Sequence, residues 1–386
     1  MSKRVGIVAV AQTAYEPAHD HWRSHELTYM TVENVLQETG LKFSGDGTGI
    51  DATVSSSNWL MEGRGISNLP HSDVAGGHLR CETKVSTEGI NAVMLAMIQI
   101  LARKYDVVLV TACCKESNAN QSVIDNFCFE PIFHQKLGLD FLQVAALQQS
   151  QYMEKHGISR EQCARVVEKN RSNGLKNPNT RFGANVTVDT VMCSNVLAHP
   201  ITSQEVRPMC DGAATLILAT EEKAKKLTDK PVWITGMGQC YDVHFLGERD
   251  LADSLALKEA SKQAYQMAGI VDPIKDIDAV ELSEHYAYQE LLWTEALGFC
   301  QSGRGGDLID SGATRIDGQI PVNPSGGVLS GNPRMVAGLT RVVECALQLR
   351  QEADKRQVEG AKVALAHGTN GPCGQEQCVL ILEKGF

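Results

Sequence analysis

Four short stretches carry residues able to do chemistry. Val85-Ser86-Thr87-Glu88-Gly89 opens an amphipathic run. A serine there either caps a helix or, with a base within hydrogen-bond reach, acts as a nucleophile. Ser283-Glu284-His285-Tyr286 sets a carboxyl beside an imidazole, and His285 is the base best suited to Ser86. Gly331-Asn332-Pro333 puts an amide before a residue that favours a first helical turn. Asn332 is therefore expected to cap a helix or to donate to an oxyanion, because an amide takes up no proton at neutral pH. Gly371-Pro-Cys373-Gly374 offers a thiol with no cation beside it in sequence. Cys373 reads equally as an inert buried thiol or as an acid/base group. Glu82, Glu88 and Glu284 would be bases if buried.

Cysteine is abundant, with 12 in 386 residues. No Cys-x-x-Cys occurs and no His pair follows a Cys pair, so no metal centre is expected. The thiols read as reduced, in a cytoplasmic protein, and mostly as small core residues, Cys81 among them. Of Cys113 and Cys114 at most one can face a pocket, since strand neighbours point to opposite sides. Lys plus Arg number 36 against 46 Asp plus Glu, a net charge of −10 without a basic block. That excludes nucleic acid as the main partner. It leaves room for an anionic ligand at helix N-termini and local cations, with Arg171, Lys176 and Arg181 as candidates. The apolar stretch Val5–Ala11 is too short to span a bilayer, so no membrane association is expected. Gly236-x-Gly238 lacks the dinucleotide fingerprint and reads as a turn ending a strand.

The elements that position these residues occur twice. Arg4–Gln12 is a continuous apolar run, followed by an amphipathic stretch, Leu27–Gly40, and by Ile50–Ser57. Pro231–Gln239, Leu255–Gly269 and Ile277–Ser283 repeat the pattern, offset by 227 residues at both Gln12/Gln239 and Ile50/Ile277. Each copy then continues into a helix-like run and an apolar strand: Ser86–Arg103 with Asp106–Ala112, and Pro333–Arg350 with Ala361–His367. So long a period indicates a duplicated α/β unit, with mainly parallel strands expected from the alternation. Residues 115–207, rich in Asn and Gln and carrying one helical pattern at Gln143–His156, read as a cap over a site. The halves are then 1–114 with 208–227, and 228–386.

Asp211–Glu222, Gln289–Gly298, Pro321-Val-Asn-Pro-Ser-Gly-Gly327 and Gly331–Gly338 resemble the thiolase superfamily, on the side of the sterol-carrier-type and archaeal thiolases. The resemblance implies a five-layered αβαβα fold, a dimer, an inserted loop domain, and coenzyme A as substrate or product with no tightly bound cofactor. It implies CoA contacts at Ser325, Gly326, Gly327 and Arg181. The family's nucleophilic cysteine, in a Cys-Ser-Thr-Gly or Cys-Ala-Ser-Gly context, aligns with Ser86, or with Val85 after a shift of one. Its Gly-His-Pro histidine is replaced by Asn332, and its Asn-Glu-Ala-Phe or His-Asp-Cys-Phe motif by Ser283–Tyr286. Its second catalytic cysteine matches the loop of Cys373.

Three functions are compatible with these departures. The first is thiolase-type acyl transfer between a 3-oxoacyl-CoA and CoA. Ser86 or Cys373 would carry the acyl group, Asn332 would line an oxyanion hole, and His285 or Glu284 would move protons. Within the family this reading points to the thiolase subunit of two-part systems such as those handling benzoylsuccinyl-CoA, which pair with a zinc-finger/OB-fold (DUF35-like) protein. The second is a retro-aldol lyase acting on a β-hydroxyacyl-CoA, which needs no nucleophile. The tyrosines such aldolases use are replaced near Ser283 and Asn332. The third is a non-catalytic thiolase-fold subunit.

Overall fold

Runs of Val, Ile, Leu and Ala with no polar face can only be strands covered on both sides. The computed structural model, which describes residues 4–44, 48–63 and 69–386, places them so. The strands are β1 (Val5–Gln12), β2 (Ala52–Ser56), β3 (Cys81–Val85), β4 (Val107–Lys115), β5 (Val196–Ala198), β6 (Ile201–Thr202), β7 (Asp211–Thr220), β8 (Val232–Tyr241), β9 (Ala279–Glu281), β10 (Val363–Asn370) and β11 (Glu376–Lys384). Apart from the small β5–β6 pair, they form one sheet in the order β3-β2-β4-β7-β1-β8-β11-β10-β9. The halves meet where Val5–Ile7 pairs antiparallel with Val232–Ile234. Outward from that seam the order is β1-β7-β4-β2-β3 on one side and β8-β11-β10-β9 on the other. A bridge from Val280 to Val322 stands where the fifth strand of the second half would lie.

Helices complete five layers. The helix Ser24–Thr39 covers β1, β4 and β7 on one outer face, and Leu255–Ala268 covers β8 and β11 on the other. Between the halves, Gly89–Leu101 and Ala337–Arg350 pack against each other. Their Ile90, Val93, Met97, Leu339 and Val343 share one core with Val54, Val110, Leu216 and Leu380 of the strands. The segment between β4 and β7 supplies two longer helices, Phe141–His156 and Arg160–Gly174, each closed by a capping box. Among the described residues no helix is long and apolar enough to cross a membrane.

Three expectations are corrected. Parallel pairing is confined to β2–β3, β2–β4 and β9–β10, while β1, β7, β8 and β11 pair antiparallel. The reason is connectivity: β7 enters from the inserted segment and β11 from a tight hairpin after β10, so neither needs a crossover helix. Gly236 and Gly238 lie inside β8 rather than in a turn. A Cβ there would stand 2.4 Å from the carbonyl of Ala264 and 1.9 Å from that of Ala260, so the glycines let the helix Leu255–Ala268 sit directly on the strand. Cys81 is exposed, because β3 is an edge strand. Gly238→Ala is therefore expected to lower the unfolding free energy by about 1–3 kcal/mol, read as a shifted urea midpoint; an unchanged midpoint contradicts this packing.

Candidate active site

The N-termini of the two central helices converge on one side chain. The helix Gly89–Leu101 opens on Glu88, not on Ser86: Glu88 has extended backbone, and its carboxyl group accepts from the Ile90 N–H at 2.9 Å. The same carboxyl group accepts from the N–H of Gly338, in the first turn of Ala337–Arg350. A Cβ on Gly338 would lie 2.1 Å from Glu88 Oε2, which fixes glycine at that contact. Burial pushes the Glu88 carboxyl up to about 8, opposed by its two backbone donors. Ser86 lies outside this first turn, exposed, and its hydroxyl has no partner among the described residues. It is neither the cap nor within hydrogen-bond reach of His285.

A second buried network holds Asn332. Arg341, on the other central helix, donates to Glu281 at 2.6 Å, to Ser325 Oγ at 3.0 Å and to Asn332 Oδ1. Ser325 donates through Oγ and its backbone N–H to Glu281, at 2.7 and 3.0 Å. Asn332 thus turns its oxygen to Arg341, and its amide nitrogen has no partner among the described residues. It does not cap the helix, which starts at Ala337. Gly326 and Gly327 have φ of +99° and +63°. A Cβ on Gly327 would stand 2.0 Å from Glu284 Oε1, and one on Gly326 2.8 Å from Gly174 Cα. Ser325–Gly327 is therefore a buried floor. Arg181 is exposed, 3.5 Å from Glu16, and donates to the Pro178 carbonyl at 2.9 Å.

His285, Cys373, Arg207, Arg334, Phe141 and Thr369 line a cavity of about 20 Å³, room for roughly one water. His285 Nδ1 is buried without a partner. Burial, and then the Arg207 and Arg334 cations, hold its pKa well below the usual histidine value, so the ring is neutral at pH 7. Both cations are anchored: Arg207 donates to the two oxygens of Glu116 at 2.7 and 2.8 Å, and Arg334 pairs with Asp125. Cys373 sits in the left-handed region, φ +52°, and its thiol donates to the Val144 carbonyl at 3.3 Å. Burial pushes that thiol up to about 12, so it stays protonated. Glu284 is wholly buried, its Oε1 accepting from Asn170 at 3.0 Å and from the Leu329 N–H at 3.2 Å. Burial, and then the charge of Glu290, push it up to about 8, and it carries a proton at neutral pH.

The fold thus brings His285 and Cys373 to one cavity, and Asn332, Glu284, Ser86 and Arg181 do not line it. Sequence reasoning gave no role to Arg207 or Arg334. Arg334 stands in the Asn-Pro-Arg of a quoted motif and Arg207 three residues before Cys210, but only folding shows that both face His285. Chemically, the cavity offers a neutral imidazole able to take a proton and two fixed cations favouring negative charge on an oxygen. It offers no thiolate.

Comparison with known proteins gives the class. Residues 238–384 match the thiolase C-terminal domain-like family. Over its full length the chain superposes on the Ltp2-ChsH2(DUF35) aldolase with a TM-score of 0.82 at 20% identity, covering 98% of this chain and 97% of that one. The fold is that of this solved structure, and residues 238–384 carry the similarity to the thiolase C-terminal family. In sequence the chain is 38% identical over 239 residues to acetyl-CoA acetyltransferase of Methanothermobacter thermautotrophicus, covering 61% of this chain and 62% of the relative. It is 31% identical over 231 residues to benzoylsuccinyl-CoA thiolase subunit BbsB of Thauera aromatica, covering 59% and 60%. The match thus spans about three fifths of the length of these relatives.

Beside the cavity, the buried His367 ring bonds Gln377 Oε1 through Nε2 at 2.6 Å, while its Nδ1 accepts the Ser283 N–H at 3.3 Å. Burial lowers its pKa to about 4. The unfolded chain, with an ordinary histidine near 6.5, binds a proton that the native chain refuses. This contribution is full above pH 6.5 and is lost as pH falls through 4, by up to about 3 kcal/mol. His367→Gln is expected to flatten the stability profile in that window, measured by urea unfolding at a series of pH values. An equally steep acid decline in the variant contradicts it.

Proposed function

We propose that this chain cleaves or forms a carbon–carbon bond β to a CoA thioester, as a retro-aldol lyase acting on a β-hydroxyacyl-CoA. The observation that carries this reading is that, among the described residues, neither Ser86 nor Cys373 is set up as an activated nucleophile. The helix-terminal donor that would stabilise an anion beside Ser86 is taken by Glu88, and Cys373 is a protonated thiol bonded to a carbonyl. A retro-aldol step needs only a base and a stabilised enolate. His285 takes the proton of the β-hydroxyl, the Cα–Cβ bond breaks, and its electron pair moves to the thioester oxygen. Arg207 and Arg334 favour the charge there. Reprotonation of the enolate at Cα gives the shortened acyl-CoA, and the β-carbon leaves as an aldehyde or ketone. No free CoA is consumed. The aldolase superposition supports the reading at the level of fold.

A second reading, thiolase-type acyl transfer with Cys373 as the acyl carrier, is favoured by one observation: Cys373 and His285 line the same cavity. The acetyl-CoA acetyltransferase relative is in line with it. In either case we infer a cytoplasmic homodimer, with the exposed edge strand β3 pairing with that of a second copy. A zinc-finger/OB-fold partner is also inferred, supported by the DUF35 component of the superposed aldolase. Product analysis tests the assignment. The expected result is an aldehyde or ketone released one for one with shortened acyl-CoA and no uptake of free CoA. His285→Ala should lower kcat by about 10²–10⁴-fold. Cleavage that requires free CoA, or a His285→Ala variant at full rate, contradicts it.

A further inference from the structure

One carboxylate reaches both cations of the cavity. Glu116 follows β4 directly and is wholly buried. Its Oε2 accepts from Arg207 Nη1 at 2.7 Å and from the Cys210 N–H at 3.4 Å. Its Oε1 accepts from Arg207 Nη2 at 2.8 Å and from the Arg334 N–H at 3.0 Å. The side chain of one cation and the backbone of the other are thus held by the same group. Glu116 and Arg207 stand at the two ends of the segment between β4 and β7, and Arg334 belongs to the second half. Arg207 donates through its backbone N–H to the His285 carbonyl at 2.9 Å, so the clamp also reaches the base. The two-point contact leaves the Arg207 Nε without a partner among the described residues. Burial alone would raise the Glu116 carboxyl, but the Arg207 and Arg334 cations outweigh it. They hold the group below the usual carboxylate range, charged at neutral pH.

We propose that Glu116 is the positioning residue of the site: it holds the Arg207 guanidinium and the Arg334 backbone in register, and so decides how strongly the pair favours negative charge on the ligand. The inference rests on the CoA-thioester reading above, in which that charge develops on the thioester oxygen. Glu116 does not line the cavity; it acts through the two arginines. Charge developing on an oxygen is stabilised most by groups already in place, which need no reorganisation as it forms. A long Arg side chain without such a clamp samples many rotamers, and ordering it on binding costs entropy. A carboxylate gripping both Nη atoms removes that cost before the ligand arrives. Its charge also compensates the two cations that line one small buried cavity. Glu116 therefore acts on the charged state and little on the binding of a neutral ligand.

Two CoA thioethers of the same shape read this without turnover: S-carboxymethyl-CoA, with negative charge beside the sulfur, and S-isobutyl-CoA, its neutral counterpart. Calorimetric titration of the full chain is expected to show about tenfold tighter binding of the anion. Glu116→Gln keeps the size and one acceptor oxygen but sets an amide N–H₂ group where the second oxygen met Arg207. It is expected to bring the two affinities within about twofold of each other and to leave that for S-isobutyl-CoA unchanged. Turnover should show the same split, kcat falling about 10²-fold with KM nearly unchanged. A merely structural role lowers both affinities alike. That outcome, or a variant that keeps the tenfold preference, overturns the proposal and leaves the CoA reading standing. Equal affinities in the unaltered protein overturn it as well. If neither thioether binds, the CoA reading falls too. Where Glu116→Gln does not fold, Arg207→Lys serves, retaining the charge without the two-point grip. A preference that survives in it overturns the proposal; its loss with S-isobutyl-CoA binding intact supports it.

Discussion

The buried carboxyl group of Glu88 accepts from the first turns of both central helices, and the arrangement of the site follows from that contact. Gly89–Leu101 and Ala337–Arg350 occupy corresponding places in the two halves, and both direct their positive ends toward the same point. In an interior of low dielectric such a point must be filled by a group that accepts hydrogen bonds. Here the chain fills it itself. The first-turn donors are engaged, the helix starts after Glu88, and Ser86 is displaced beyond the reach of the helix dipole.

On the proposed reading the site is electrostatic rather than nucleophilic. Arg207 and Arg334 are each held by their own carboxylate, so they keep fixed positions beside His285. Their field and the surrounding burial keep the imidazole neutral, ready to accept a proton only when negative charge develops nearby. Arg341 ties Glu281, Ser325 and Asn332 into one unit, so the loop carrying Asn332 is set by the helix that Glu88 caps.

Much of the scaffold was legible in the sequence because two-sided burial leaves no polar face. The apolar runs at Val5–Gln12 and Val232–Tyr241, and the offset that relates them, mark strands at corresponding places in the sheet. Strand direction was not legible, since a strand reached by a hairpin and one reached through a helix have the same composition. The glycines of β8 read as a turn, because only the helix lying on them shows that they serve close approach inside a strand. At the site, His285 and Cys373 could be picked out by motif position. Ser86 and Glu88 are two residues apart in a segment where either could cap, and the choice depends on Gly338, 250 residues away. Arg207 and Arg334 became functional candidates only through partners distant in sequence, Glu116 and Asp125.

The central claim is that bond cleavage here proceeds without an acyl-enzyme. Incubation of the protein with its acyl-CoA substrate, acid quenching during turnover and intact-mass measurement with peptide mapping address it directly. The account predicts an unmodified chain at every time point. An acyl mass on Cys373, or on Ser86, would contradict it.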